Sequence, residues 1–164
     1  MLNDQDLQRF IAELGIEAVL VYPDRPTPTV PAAAEALGVR PQEIVKSLVF
    51  LVRGEPWLVI AAGEARVSFR RLREELGVSR RKLRLASAEE ALEITGFAVG
   101  AMPPFGHLAP LRTIIDSLSV PSQDSKLLYG GGGTQAAMLR LSVATLRTVT
   151  QGRWLPLTAG EEEE

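Results

Sequence analysis

The sequence predicts an α+β fold, a mixed, largely antiparallel, barrel-like sheet wrapped by short helices. Three observations carry the prediction. Segments with apolar residues at helical spacing, bounded by cap and stop residues, alternate with apolar runs of strand length. Two of those runs are joined only by a turn tripeptide, which makes them antiparallel neighbours. Their residues are apolar on both faces, so the sheet is covered on both sides or curls on itself. At 164 residues the chain has the length of one domain, and neither a linker nor a repeat of fixed period divides it. The domain is expected to occupy residues 1–158, with 159–164 as an acidic, disordered tail.

In chain order, NDQDLQRFIAELG places Leu7, Phe10, Ile11 and Leu14 on one helical face, capped by Asn3 or Asp4 and stopped by Gly15. EAVLVY is a strand. PDRPTPT interrupts the chain, because its prolines fix φ and remove backbone donors. TVPAAAEALG is a short helix from the Thr29 cap to the Gly38 stop. KSLVFLV and PWLVIAA form a hairpin about RGE. SFRRLREELG is a basic helix capped by Ser68, with Phe69, Leu72 and Leu76 inward. SAEEALEITG opens on a capping box, Ser87 with Glu90. FAVG reads as a short strand, AMPPFGHLAP as a rigid loop and LRTIIDSL as the next strand. KLLYGGGG ends a strand in four glycines, QAAMLRLS resumes the sheet, and SVATLRTVT is a closing helix begun by Ser142.

Composition removes several chemistries. The chain has no cysteine, which excludes disulfides and thiolate catalysis, and its single histidine argues against a transition-metal site. No metal and no cofactor are expected. GGGGT lacks the lysine and spacing of a P-loop, and no G-x-G-x-x-G follows a strand. His107 could join Asp116 and a serine in a triad, but there is no G-x-S-x-G elbow. The longest apolar runs are too short for a membrane span and the N-terminus lacks a signal-peptide layout, so a cytoplasmic location is expected. Charge is uneven. Residues 66–84 hold eight basic and two acidic side chains, a net of +6 in a chain whose total is −2. Such a patch, with Arg70, Arg71, Arg80 and Arg81 at its centre, is either a solvated helix face or a place where a polyanion is steered.

Two features could carry chemistry. Lys46 is one of only three lysines among 18 basic residues, and it heads the apolar run KSLVFLV. Alternation puts Lys46, Leu48, Phe50 and Val52 on one face. Its stem can lie along apolar surface with the head in solvent, or its ammonium can be aimed at a phosphate or ribose oxygen. The loop VGAMPPFGH is equally open. Glycine and consecutive prolines can simply turn the chain, or they can hold backbone N–H groups rigidly, as an oxyanion site needs. Gly100 and Gly106 would permit close approach of a ligand, and the glycines 130–133 would line the same cleft or form a hairpin turn.

In this order, TPTVPAAAEALGV, IVKSLVF, LRLAS, ALEITGFAVGAMPPFGH, IIDSL and YGGGG resemble the YbaK/ProX family, free-standing relatives of the editing domain inserted in bacterial prolyl-tRNA synthetases. The resemblance covers residues 15–150. It implies hydrolysis of mischarged aminoacyl-tRNA, with tRNA-Pro carrying a small amino acid such as alanine or cysteine as substrate. It also implies the tRNA acceptor end as partner, and with it prolyl-tRNA synthetase. Lys46 corresponds to the family's lysine, associated with holding the terminal adenosine and phosphate. The loop 100–106 corresponds to the segment whose backbone faces the ester carbonyl, and Thr27 and Phe50 correspond to positions near the pocket. The implied substrate-binding set is Thr27, Ser47, Phe50, Gly100, Ala101, Pro104, Phe105, Gly106, His107, Gly130 and Gly131. The chain departs from the family in three places: Gly100-Ala101 where many relatives have Gly-Gly, Ser47 where many have threonine, and Gly130 where a serine is frequent.

An aminoacyl ester is already activated, so a strong protein nucleophile is not required. Fixed donors around the developing oxyanion can each contribute about 3 kcal/mol, and water or a group on the substrate can attack. The missing general base also fits a second expectation, a non-catalytic module that binds a tRNA end, a nucleotide or a synthetase.

Overall fold

The structure is a computed structural model that describes residues 1–159. Its first helix, α1 (Asp4–Leu14), is closed at its start by a capping box between Asn3 and Asp6 and at its end by Gly15 at φ +62°. The strand β1 (Ala18–Val21) and helix α2 (Val30–Leu37) follow, the latter capped by the Thr29 hydroxyl. Then β2 (Val45–Val52) and β3 (Glu55–Ala62) form the expected hairpin. Its two-residue turn uses positive φ at Arg53 (51°) and Gly54 (78°), the combination that matches the twist of the flanking strands.

The chain continues through β4 (Arg66–Val67), α3 (Phe69–Leu76), β5 (Leu83–Leu85), α4 (Ala88–Thr95) and β6 (Arg112–Asp116). It ends with β7 (Leu127–Gly131), β8 (Met138–Ser142), α5 (Val143–Thr150), β9 (Arg153–Leu155) and β10 (Thr158–Ala159).

The largest sheet has the order β5-β2-β3-β6-β9, with β3-β6 and β6-β9 parallel and the rest antiparallel. A second sheet, β1-β8-β7, is antiparallel throughout, and β4 pairs with β10 in a third. A parallel bridge from Ile44 to Tyr129 joins the first two sheets at the start of β2. The wrap expected of a barrel-like sheet is thus made by sheets that meet at a seam, not by one closed sheet.

Both faces of the hairpin are covered, as its composition requires. Leu58 and Ile60 enter a cluster with Leu7, Ile11, Phe97, Phe105 and Leu128. Val59, on the opposite face of the same strand, joins Phe50, Leu72, Ile114 and Leu157. A leucine or phenylalanine buried to this extent contributes about 2 kcal/mol, so these two clusters hold β2 and β3 rigidly behind the site.

Three expectations change. FAVG forms no strand; Phe97 is fully buried in a bend after α4, and its backbone serves turns instead of a ladder. Phe69 is not inward, being 36% exposed, although its ring meets Phe50 edge-on at 5.3 Å. Ala159, assigned to the tail, pairs with Arg66 in β10. The tail residues 160–164 lie outside the described residues.

Candidate functional site

Lys46 sits in β2 opposite Ala61 of β3. β5 covers only Phe50–Val52 of the other edge of β2, and residues 45–48 line a cavity instead. The Lys46 ammonium does not trail into solvent. It donates to the Ala65 carbonyl, in the turn between β3 and β4, at 2.6 Å. Burial pushes its pKa below the ordinary lysine value and the nearby Arg66 guanidinium pushes the same way, while Glu64 opposes them. No carboxylate of the described residues forms an ion pair with it. An ammonium has three protons, and the Ala65 carbonyl takes one.

The cavity that Lys46 lines has a volume of about 230 Å³. One wall is the strap of residues 27–30, a second is Val45–Leu48 of β2, and a third is the turn holding Val99, Gly100 and Met102; Gly131 and Met138 also line it. Thr27 is buried and pinned by Gln135, whose carbonyl accepts from the Thr27 amide at 2.9 Å and its hydroxyl at 3.2 Å. Gly100 adopts φ +93°, and a β-carbon there would lie 3.5 Å from the Pro28 carbonyl. The strap and the glycine turn therefore meet across the cavity.

The turn is held by backbone. The Ala101 amide donates to Ala98 at 3.1 Å, and the Ala101 carbonyl accepts from Gly133 at 3.0 Å. A β-carbon on Gly131 would come within 2.2 Å of the Met102 carbonyl oxygen, so only glycine lets the turn seat on β7. Among the described residues, the amides of Gly100 and Met102 have no acceptor within the chain. The lining thus includes Lys46, whose half-buried ammonium has unused protons, Gly100 and Met102, whose amides have no acceptor among the described residues, and the hydroxyl-bearing Thr27, Thr29 and Ser47, beside apolar Val30, Ala33, Leu48 and Met138.

The structure brings together Lys46, Thr27, Ser47, Gly100 and Gly131. It separates the remaining residues of the expected binding set. Phe50 is 1% exposed and belongs to the core behind the hairpin. Ala101 is buried and acts through its backbone. Gly130 faces Val45 and Pro104, whose side chains would lie 3.3 and 3.4 Å from a built β-carbon.

Pro104, Phe105, Gly106 and His107 line a different cavity, of about 390 Å³, with Phe10 and Val149. Phe105 stacks on Phe10 at 5.9 Å, and Gly106 lies against Leu7 and Phe10. His107 Nε2 lies 2.9 Å from the Pro103 carbonyl, which can only accept, so the ring donates there. Burial lowers the His107 pKa and the Pro103 carbonyl partly restores it, so the site favours the neutral imidazole. No triad forms, because the Asp116 carboxylate is engaged by Ser119, Leu157, Thr158 and Leu118 instead of by His107.

The basic segment spans β4, α3, the turn Arg80–Lys82 and β5. Arg70 meets Glu74 at 3.4 Å, and Arg84 forms a two-pronged pair with Glu90 at 2.7 and 2.6 Å. Glu90 is held down to about 2 by that guanidinium and by Ser87, so part of the patch is already neutralised. A larger cleft, about 580 Å³, lies between residues 40–43 and 117–128 and includes neither Lys46 nor the glycine turn.

Sequence reasoning missed Met102, Met138, Val99, Ala33 and the Ala65 carbonyl. Met138 follows from the alternation of β8, where Met138 and Arg140 share a face; the others depend on how distant loops meet. Among the described residues, no helix is long and apolar enough to cross a membrane.

Comparisons with known proteins bear on this site. A family model described as an aminoacyl-tRNA editing domain matches residues 24–149. An uncharacterized protein, YwhH, of Bacillus subtilis strain 168 is 40% identical over 79 residues, 48% of each chain. The proline–tRNA ligase of Halalkalibacterium halodurans is 37% identical over 76 residues, which is 46% of this chain and 13% of the ligase. The aligned stretch thus spans about half of the first relative and a small part of the second. A solved structure described as that of a proposed trans-editing enzyme for prolyl tRNA synthetase superposes with a TM-score of 0.85 and 30% identity, covering 96% of this chain and 97% of that one.

Proposed function

The chain belongs to the aminoacyl-tRNA editing domain family, and from that premise we propose that it is a trans-acting deacylase. It hydrolyses the ester between a wrongly attached amino acid and the 3′ end of a tRNA, with tRNA-Pro carrying a small amino acid such as alanine or cysteine as substrate. The similarity to proline–tRNA ligase and to a proposed trans-editing enzyme supports the choice of tRNA. The observation that carries the reading is that Lys46, whose ammonium has unused protons, lines the same cavity as Gly100 and Met102, whose amides have no acceptor among the described residues.

Each group has a role. Lys46 holds a phosphate or ribose oxygen of the terminal nucleotide as a point charge. The Gly100 and Met102 amides polarise the ester carbonyl and receive negative charge as it develops. Water adds to the carbonyl carbon, the carbon–oxygen bond to the ribose breaks, and the ribose oxygen leaves with a proton; free amino acid and tRNA result. The side chains lining the cavity include no carboxylate or histidine. The proton is therefore handled by water or by a substrate group. A volume of about 230 Å³ is below the roughly 300–1,000 Å³ usual for drug-sized ligands. It suits an aminoacyl group and its ribose, with the base at the mouth. Poor discrimination between small apolar side chains is what makes such editing necessary. The basic surface 66–84 steers the acceptor arm, and prolyl-tRNA synthetase is the partner that supplies mischarged product.

The test is a panel of tRNAs charged with alanine, cysteine, serine and proline, followed for ester loss. Rapid release from at least one, abolished by Lys46→Ala, is the expected result. No hydrolysis of any charged tRNA, with intact aminoacyl-adenosine analogue bound at Lys46, would replace catalysis by the binding-only reading.

A further inference from the structure

Asp116 is the only charged residue among the buried described residues, at 0% exposure, and the reaction above gives it no task. Among the described residues it has no cationic partner. Six donors converge on it instead. Oδ1 accepts from the amides of Leu157 at 2.8 Å, Thr158 at 3.2 Å and Leu118 at 3.3 Å. Oδ2 accepts from the Ser119 amide at 2.9 Å, the Ser119 hydroxyl at 2.6 Å and the Thr158 hydroxyl at 2.8 Å.

Two arms lead from this carboxylate to one turn. The first runs through Ser119, whose oxygen also accepts from the Ala62 amide at 2.9 Å. Ala62 ends β3 and pairs with Val45, the neighbour of Lys46. The second runs through residues 157 and 158. The Leu157 carbonyl accepts from the Ser68 amide at 2.8 Å, and Thr158 pairs with Val67. Between Ala62 and Val67 lies the turn carrying the Ala65 carbonyl, which receives the Lys46 ammonium.

We propose that Asp116 is a positioning residue for Lys46: through Ser119 on one side and the C-terminal strand β10 on the other, it clamps both ends of the turn whose carbonyl fixes the ammonium of that cavity-lining lysine. The clamp stands on geometry; its consequence for turnover rests on the deacylase reading. A carboxylate suits the position because it accepts at every lone pair, whereas an amide would present protons to donors.

Three lysines make the test direct. Protein labelled with 13C-lysine gives three side-chain signals, and Lys46→Arg identifies one by its loss. Ser119→Ala removes the link to Ala62 and Thr158→Val removes one of the three bonds on the β10 side; both are milder than Asp116→Asn, which serves as the full disruption if it folds. The expected result is a Lys46 titration that moves up toward the ordinary lysine value in each variant, further in the double variant, with deacylation lowered about tenfold in each. Thr158→Ser, which keeps the hydroxyl, restores both. Variants that melt earlier yet leave the Lys46 titration in place would overturn the proposal and make Asp116 a stabilising residue only. Because the titration is read without turnover, an active Lys46→Ala would end the deacylase role of Lys46 and still leave the clamp tested.

Discussion

Asp116 and Lys46 are both ionisable groups drawn out of water, and the chain treats them in opposite ways. Asp116 is surrounded by six donors at 2.6 to 3.3 Å. Burial pushes its pKa up, but the hydrogen bonds outweigh it, and the carboxyl stays below its usual value. Lys46 has one acceptor and no counter-ion among the described residues, and its pKa is lowered by burial first and Arg66 second. The difference teaches where function lies. A buried charge whose every valence is met by the chain is scaffold, and one left short is poised for something brought from outside.

The signs of the linkage differ accordingly. The depressed pKa of Asp116 contributes stability above its unfolded value, lost as pH falls through the folded one. The depressed pKa of Lys46 means that folding disfavours its charged form. That cost is present below the folded pKa and is relieved as pH rises toward the unfolded one.

The largest effect should come from emptying the scaffold side. Asp116→Ala leaves up to six donors without an acceptor, three of those bonds being buried and three part-buried, and each such loss costs about 1–3 kcal/mol where water cannot replace it. A destabilisation of at least about 3 kcal/mol is expected in urea unfolding. A loss of under about 1 kcal/mol would erase the contrast.

Lys46→Met should do the reverse. The variant retains the apolar stem, removes a disfavoured charge and leaves one carbonyl to be solvated. Its melting temperature should equal or exceed that of the parent, while deacylation falls a hundredfold or more, about 3 kcal/mol of transition-state stabilisation. A variant that is both active and less stable would make Lys46 part of the scaffold.

Much of this was legible in the residues. Caps at Asn3, Thr29, Ser68, Ser87 and Ser142 are local, so the helices could be placed from side chains a few positions apart. The hairpin followed from its turn and its double-sided apolarity. The short strands β4, β9 and β10 could not, because two or three residues show no period. The same limit applies to the site. Lys46 stood out by type and position, but its acceptor is 19 residues away in a turn without any motif. The loop 100–107 looked like a single unit in sequence. Its first part turns to the cavity and its second, through Phe105 stacked on Phe10, turns to α1; the prolines mark the place but not the direction.

The glycines of β7 test whether the backbone side of the cavity is as exacting as the ammonium side. A methyl on Gly131 must displace the Met102 carbonyl, 2.2 Å away, whereas one on Gly130 meets the Val45 and Pro104 side chains at 3.3 and 3.4 Å. Gly131→Ala is therefore expected to lower kcat/KM about tenfold or more, since small displacements of positioned groups are costly. Gly130→Ala should cost no more than about 1 kcal/mol of stability and leave activity near that of the parent. Equal effects in kinetics would mean that the glycine turn does not set the reacting geometry.

The smallest effect tests the electrostatics of Lys46 alone. Arg66 and Glu64 flank the Ala65 carbonyl, are both exposed, and act on the ammonium with opposite signs. Removing the cation with Arg66→Gln should move the Lys46 titration up, and removing the anion with Glu64→Gln should move it down. Because the ammonium is charged below its pKa, the alkaline limb of kcat/KM, corrected for spontaneous ester hydrolysis, should shift in the same two directions. Both shifts should shrink at high salt, since interactions of exposed charges are screened, whereas the lowering due to burial should persist. Salt-insensitive shifts, or two variants that move the titration the same way, would show that substitution disturbs the turn itself. The lowered pKa of Lys46 would then reflect the burial that the Ala65 turn imposes and not the charges beside it.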